Sequence, residues 1–254
     1  ADVASGPTLE AAGAIPHGEV VKKYGLAERL PPAVVRALEG TGGAGGTRPQ
    51  ECGVRRRHVL LDNAVACEAA ARAARERGFA VEAARDLVEQ RVEEGAVESV
   101  SRLAALYRRE GGRVVCLVSG GEFACPVRGP GVGGRNAETA LRCAFEFEKI
   151  TGGNPGGGGA GRAGARALRN MVALCAGTDG VDGNSPAAGA LADQTTLARA
   201  RSRGLPPEKF LAESDAHTLF DALGDAVITG PTGTNVRDLR ILLGAGGLGL
   251  GACG

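Results

Sequence analysis

The chain has 254 residues, 43% of them hydrophobic but only 3% aromatic and none Trp, so its core must be built from Ala, Val and Leu. Its 30 basic and 29 acidic residues leave a net charge of +1, which argues against a general electrostatic grip on nucleic acid or on an anionic membrane. No apolar run reaches the ~18 residues of a membrane-spanning helix, and no signal peptide is legible at the first residue, Ala1.

The length suits one or two domains. Glycine is abundant, with 42 residues. Part of that excess falls in residues 40–46 and 152–164, which read as flexible surface insertions. Residues 55–57, Arg-Arg-Arg, read as a solvated approach to an apolar strand over 58–61. Asp62 and Asn63 then cap an alanine-rich helix over 64–77 that Gly78 stops. Residues 79–84 suit the next strand. Over 92–110, Val97, Val100, Leu103, Leu106 and Tyr107 recur at helical spacing and predict one buried face.

Residues 113–119 form a near-continuous apolar run, the pattern of a strand covered on both faces. A hairpin partner over 123–128 and a helix over 136–149 are expected next. A buried strand follows at 171–176, then a helix over 186–203, and strands at 226–229 and 238–243. The glycine-rich tail 244–254 reads as frayed. Alternating strands and helices in the first half predict an α/β fold with parallel strands.

The seven cysteines, Cys52, Cys67, Cys116, Cys125, Cys143, Cys175 and Cys253, include no Cys-x-x-Cys pair. They fit reduced, buried thiols in a cytosol-like compartment rather than a zinc site or a disulfide framework. The histidines, His17, His58 and His217, read as structural.

Four glycine-framed polar segments carry the chemistry. Ser119, Gly120, Gly121 and Glu122 follow the apolar run 113–119, where an α/β protein binds ligands; alone they equally suit a two-glycine turn. Gly133, Gly134, Arg135, Asn136, Ala137 and Glu138 open a helix. A cation at a helix N-terminus is mildly unfavourable, so Arg135 implies an anionic partner, either a ligand or a nearby acidic side chain such as Glu138. Gly177, Thr178, Asp179, Gly180, Val181, Asp182 and Gly183 place two carboxylates three residues apart after a strand. Such a pair holds a hard cation or orients a hydroxyl, although Asp and Gly also simply make turns. Thr229, Gly230, Pro231, Thr232, Gly233, Thr234 and Asn235 offer hydroxyls and amides with little apolar surface, without the Walker Gly-Lys-Ser/Thr.

In this order these segments resemble the two-domain glycerate kinases whose C-terminal domain is called MOFRL, a family also named hydroxypyruvate reductase. The resemblance continues through Ala187-Ala188-Gly189-Ala190, Val236, Asp238-Leu239, and upstream through residues 4–8, 23–26 and Asn63. It covers most of the chain outside the glycine-rich insertions. It implies the rear part of a Rossmann-like parallel-sheet domain over 1–111 and an α/β MOFRL-type domain over 112–254. It implies ATP- and Mg²⁺-dependent phosphorylation of D-glycerate, 2-phosphoglycerate being the favoured product.

Under this resemblance Arg135, Asp179 and Asp182 are catalytic, and Asp179 and Asp182 also hold the metal. Ser119, Gly120, Gly121, Glu122, Gly133, Gly134, Asn136, Thr178, Thr229, Gly230, Thr232, Gly233, Thr234 and Asn235 bind nucleotide or glycerate. No nucleic-acid or membrane partner is expected. A homodimer is left open, and the expected location is cytoplasmic, or mitochondrial if a preceding segment carries a targeting signal.

The chain is expected to begin inside the first domain, after a family lysine and a further glycine-rich loop. Ala137 stands where the family commonly has glutamine, and Asn184-Ser185-Pro186 where it commonly has an aspartate. A relative that binds without turnover is therefore the alternative. NAD(P)H-dependent reduction ranks lower, since no Gly-x-Gly-x-x-Gly joins a strand to a helix.

Overall fold

The computed structural model describes residues 15–40, 60–152 and 168–246. It divides into two compact units, one ending at Leu60 and one starting at Leu61. In the first, α1 (His17–Lys23) and α2 (Pro32–Gly40) flank a 3₁₀ turn at Leu26–Glu28. Gly25 enters that turn at φ 58°, a left-handed conformation that glycine adopts without strain.

The second unit opens with α3 (Asn63–Glu76), whose N-cap Asp62 accepts from the Val65 amide at 2.8 Å. Then come β1 (Ala80–Ala84), α4 (Val92–Arg109), β2 (Val115–Gly121), α5 (Arg135–Thr151) and β3 (Leu168–Gly177). The chain continues through β4 (Gly189–Asp193), α6 (Thr196–Ser202), α7 (Pro207–Ala212), α8 (Ala216–Leu223), β5 (Ala226–Val227) and β6 (Asp238–Gly246).

The six strands form one sheet in the order β1-β2-β6-β3-β4-β5. The β1–β2 pair is parallel, as the first-half pattern predicts, and every other pair is antiparallel. The fold is therefore α/β with a mixed sheet. One face packs α4 and α5 through Val100, Leu103, Leu106, Tyr107 and Phe147 against Val115, Leu117, Met171 and Leu242. Further along that face, α5, α6 and α8 enclose Leu141, Leu197, Leu219 and Phe220. The small side chains of α3, Cys67, Ala70, Ala71 and Ala74, cover Cys116, Val118, Leu239, Ile241 and Leu243.

Several expectations are corrected. Ser119, Gly120 and Gly121 are the end of β2, not a loop after it. Residues 123–128 make no hairpin strand; Ala124 forms only an isolated bridge with Arg91. Residues 186–203 are not one helix, because Gly189–Asp193 pairs with β3 before α6 begins. A Cβ on Gly189 would collide with the Cys175 carbonyl, so close strand contact overrides the helical composition. Residues 244–246 continue β6 rather than fraying. Val97 is 46% exposed and leaves the buried face of α4. Of the strand expected at 58–61, residues 58 and 59 lie outside the described residues, while Leu60 and Leu61 are exposed and non-regular. The insertion expected at 40–46 lies beyond α2, outside the described residues except for Gly40, and that at 152–164 lies outside them except for Gly152.

Candidate active site

Topology fixes where the polar segments meet. Because β6 runs antiparallel to both β2 and β3, its first residue lies beside the last residues of both: Asp238 pairs with Gly121 and with Gly177. Asn63, the first residue of α3, ties these ends together. Its Nδ2 donates to the carbonyls of Val236 at 2.7 Å and Asp238 at 2.9 Å, and its Oδ1 accepts from the Gly121 amide at 2.9 Å. A side chain at Gly120 would collide with Asn63 Oδ1, so glycine is needed there for this close approach.

The Asp238 side chain is 1% exposed and faces the start of α5. Arg135 grips it through two donors, Nε at 2.6 Å to Oδ2 and Nη2 at 2.9 Å to Oδ1, a charge-assisted fork that fixes the guanidinium plane. Arg135 Nη2 also lies 2.8 Å from Glu122 Oε1. Burial opposes the Arg135 charge, but Asp238 and then Glu122 outweigh it and raise the guanidinium above its usual pKa. Arg135 is about one third exposed, and its Nη1 has no acceptor among the described residues.

Asp182 supplies the anion that the helix N-terminus calls for. Its Oδ1 accepts from the Asn136 amide at 2.9 Å and its Oδ2 from the Ala137 amide at 2.8 Å. Asn136 Nδ2 bridges Asp182 Oδ1 at 3.2 Å and Asp238 Oδ1 at 3.0 Å. Burial raises the Asp182 carboxyl above its ordinary pKa, against the lowering effect of these N–H donors. The 131–134 loop lies along the 183–184 turn: Gly133 N donates to Asn184 Oδ1 at 2.8 Å, and Asn184 N to the Gly133 carbonyl at 3.2 Å. Glu138, read from sequence as a candidate partner of Arg135, turns instead to Arg128 at 3.1 Å and Arg142 at 2.8 Å.

The third and fourth segments pack on one another. Thr232 N donates to the Asp179 carbonyl at 3.1 Å, and Thr232 Oγ1 to the Thr178 carbonyl at 2.6 Å. Thr178 Oγ1 accepts from Val236 N at 2.8 Å and donates to the Arg237 carbonyl at 2.7 Å. Gly180, at φ 88°, touches the Gly230 carbonyl so closely that any side chain would collide with it. Asp179 accepts from Val181 N at 3.1 Å and from Asn235 Nδ2 at 3.3 Å. Thr229, Pro231, Thr232, Gly233, Thr234 and Asn235 remain exposed and Gly230 is half-buried.

The two aspartates therefore have different surroundings. Asp182 is buried and its two oxygens receive three N–H donors, whereas Asp179 is half-buried beside the exposed 229–235 loop. Among the described residues no group of three or more His, Cys, Asp or Glu could by itself hold a metal. One carboxylate such as Asp179 still fits a Mg²⁺ ion that takes its remaining ligands from phosphates and water. A cavity of about 400 Å³ opens beside the 131–134 loop, lined by Phe123, Cys125, Arg135, Glu138, Asn184 and Ser214 among others.

From sequence, Asn63 reads as part of a helix cap and Asp238 as part of a motif, neither with a role in the site, and Arg240 carries no reading. The available signal was Asp-x-Arg inside an otherwise apolar strand, two charges on one face at strand period.

Comparison with known proteins bears on the same segments. Residues 115–238 match the MOFRL family. The chain is 33% identical over 187 residues to D-glycerate 2-kinase of Thermotoga maritima, covering 72% of this chain and 40% of that protein. It is 33% identical over 249 residues to a putative hydroxypyruvate reductase of Agrobacterium vitis, covering 95% of this chain and 58% of that protein. The crystal structure of glycerate kinase from Thermotoga maritima superimposes with a TM-score of 0.68 at 28% identity, covering 89% of this chain and 49% of that one. The chain thus spans about half the length of the relatives it matches. It carries a MOFRL family domain and is a homologue of the glycerate kinases.

Proposed function

We propose that this chain serves the ATP-dependent phosphorylation of D-glycerate, with 2-phosphoglycerate as product. The observation that carries the reading is Arg135: a guanidinium locked by Asp238 at the head of α5, with Nη1 left to meet an anion. Phosphoryl transfer asks a protein chiefly to position groups and neutralise charge. Arg135 binds the transferring phosphate or the glycerate carboxylate. The loop residues Thr229, Gly230, Gly233 and Asn235 supply amides to phosphate oxygens, while the Thr232 and Thr234 amides, bonded to the Asp179 carbonyl and to Thr232 Oγ1, hold the loop in shape. Asp179 holds Mg²⁺ or orients the substrate hydroxyl; when bound, Mg²⁺ neutralises charge on the nucleotide phosphates.

Asp182, Asn136, Gly133, Gly134, Thr178 and the β2 end Ser119, Gly120, Gly121 and Glu122 hold these groups in place rather than meeting the metal. We further read residues 1–111 as the rear part of the preceding domain and 112–254 as the MOFRL-type domain. The enzyme is taken to work in the cytoplasm, and a homodimer is compatible with this reading.

The test is ³¹P NMR of the chain incubated with ATP, Mg²⁺ and D-glycerate. A 2-phosphoglycerate resonance supports the reading, and a 3-phosphoglycerate resonance corrects the acceptor hydroxyl. No product, with ATP or glycerate bound in calorimetry, shifts the reading to binding without turnover.

A further inference from the structure

Arg240 heads the largest fully buried side chains of the described residues, at 1% exposure. Burying a guanidinium is costly unless its donors are used and a counter-charge is near. Its Nε donates to Ser119 Oγ at 3.1 Å and its Nη2 to the Leu87 carbonyl at 3.0 Å. The guanidinium lies 3.7 Å from the centroid of the Phe123 ring, a cation–π contact. Its Nη1 is 3.9 Å from Asp238 Oδ2, the nearest carboxylate contact of the group. Arg240 and Asp238 are two apart on β6 and so share one face of the strand.

Asp238 is thus held between two guanidiniums, the buried Arg240 and the one-third-exposed Arg135, with Asn136 on the same oxygen as Arg135 Nη2. A carboxylate this deeply buried needs partners on both oxygens, and the two prongs of the Arg135 fork are met only while its plane is fixed.

We propose that Arg240 is a positioning residue for the phosphoryl-transfer site: from inside the core it holds the Asp238 carboxylate in orientation, and Asp238 in turn sets the plane of Arg135. The hydrogen bonds to Ser119 and the Leu87 carbonyl aim Arg240, which gives the end of β2 a role in the site without contact to ligand. The inference rests on the kinase reading for its purpose, but the geometry can be tested without turnover.

The test is NMR of the Arg135 Nε–H in the full chain, following its hydrogen exchange in wild type, Arg240→Met and Phe123→Leu. Phe123→Leu removes the stacked ring and loosens the core but keeps the buried charge. Arg240→Met is expected to speed Arg135 Nε–H exchange by roughly tenfold or more, while Phe123→Leu leaves it near the wild-type value. Unchanged exchange in Arg240→Met, or equal acceleration in both variants, would overturn the proposal. If Arg240→Met does not fold, Arg240→Lys carries the same comparison, since an ammonium cannot reach Ser119, Leu87 and Asp238 together. In parallel, kcat for glycerate phosphorylation is expected to fall in Arg240→Met with little change in KM. Absence of turnover in the wild type would sink the kinase reading and leave the exchange result to decide the role of Arg240.

Discussion

Asp182 caps helix α5 from a loop 46 residues downstream, taking the amides of Asn136 and Ala137 on its two oxygens at 2.9 and 2.8 Å. A carboxylate at a helix N-terminus is favoured by the unpaired amides and by the helix dipole. This single contact joins the Asp179–Asp182 loop to the helix that carries Arg135. The anion that Arg135's position implied is therefore partly internal: Asp182 serves the helix end and Asp238 serves the arginine.

Removing the cap should cost stability in a pH-dependent way. Asp182→Ala leaves buried donors without an acceptor and should destabilise by about 3 kcal/mol in urea unfolding. Burial raises the folded-state pKa of Asp182 above the ordinary 3.8. The folded chain then holds this proton longer than the unfolded chain, so the contribution of Asp182 is full below 3.8 and declines as pH rises through the folded-state value. The stability gap between wild type and Asp182→Ala should accordingly be wider below pH 3.8 than at neutrality. A gap that widens toward neutrality would contradict this assignment.

Glycines at positive φ should separate by what stands beside them. Gly204 has φ 73° and open space, and Gly204→Ala should cost about 1 kcal/mol from the left-handed backbone alone. Gly180 has φ 88° and faces the Gly230 carbonyl, so Gly180→Ala should cost about 3 kcal/mol or more and displace the 229–235 loop. Thermal melts of the two variants check the order, and equal losses would refute the packing of these loops.

Arg237 is a non-glycine residue at φ 70°, next to Asp238. Its side chain pairs with exposed Glu89 at 3.3 Å, a contact of small net value. Arg237→Gly should leave stability unchanged or raise it by about 0.5–1 kcal/mol, because relief of strain exceeds the extra chain entropy of glycine. A clear loss of stability would mean that the side chain contributes more than this geometry provides.

Asn63 makes three hydrogen bonds to the end of β2, the start of β6 and Val236 just before it. Asn63→Asp replaces two donated hydrogen bonds by a carboxylate facing two carbonyls and should cost about 3 kcal/mol. Hydrogen exchange at the Gly121 amide and across the 236–238 segment should accelerate in this variant. Unchanged protection there would show that the strand ends hold together without Asn63.

Much of the architecture could be read from the chain. Asp62 and Gly78 bracketed α3, and the helical spacing of Val100, Leu103, Leu106 and Tyr107 located the buried face of α4. The direction of the later strands was not legible, because an apolar run such as residues 171–176 carries no sign of which neighbour it pairs with. Ala187, Ala188, Ala190 and Ala192 looked helical and became a strand and its approach, because the Gly189 backbone lies directly on Cys175. The glycine-framed segments were legible as a site in composition, but side-chain direction was not. Nothing in the spacing of Asp179 and Asp182 told that one turns inward to α5 and the other stays beside an exposed loop. A buried arginine at 240 was equally hidden, since its partners Ser119, Leu87 and Phe123 come from distant parts of the chain.

The most direct measurement of the central claim is the steady-state kinetics of D-glycerate phosphorylation by wild type and Arg135→Lys. Lysine keeps the charge but cannot span Asp238 with two donors while offering a third to an anion. The expected result is a fall in kcat/KM of about 10²-fold or more, with a melting temperature close to wild type. Wild-type kinetics in Arg135→Lys would contradict the claim that the fork between Arg135 and Asp238 builds the phosphoryl-transfer site.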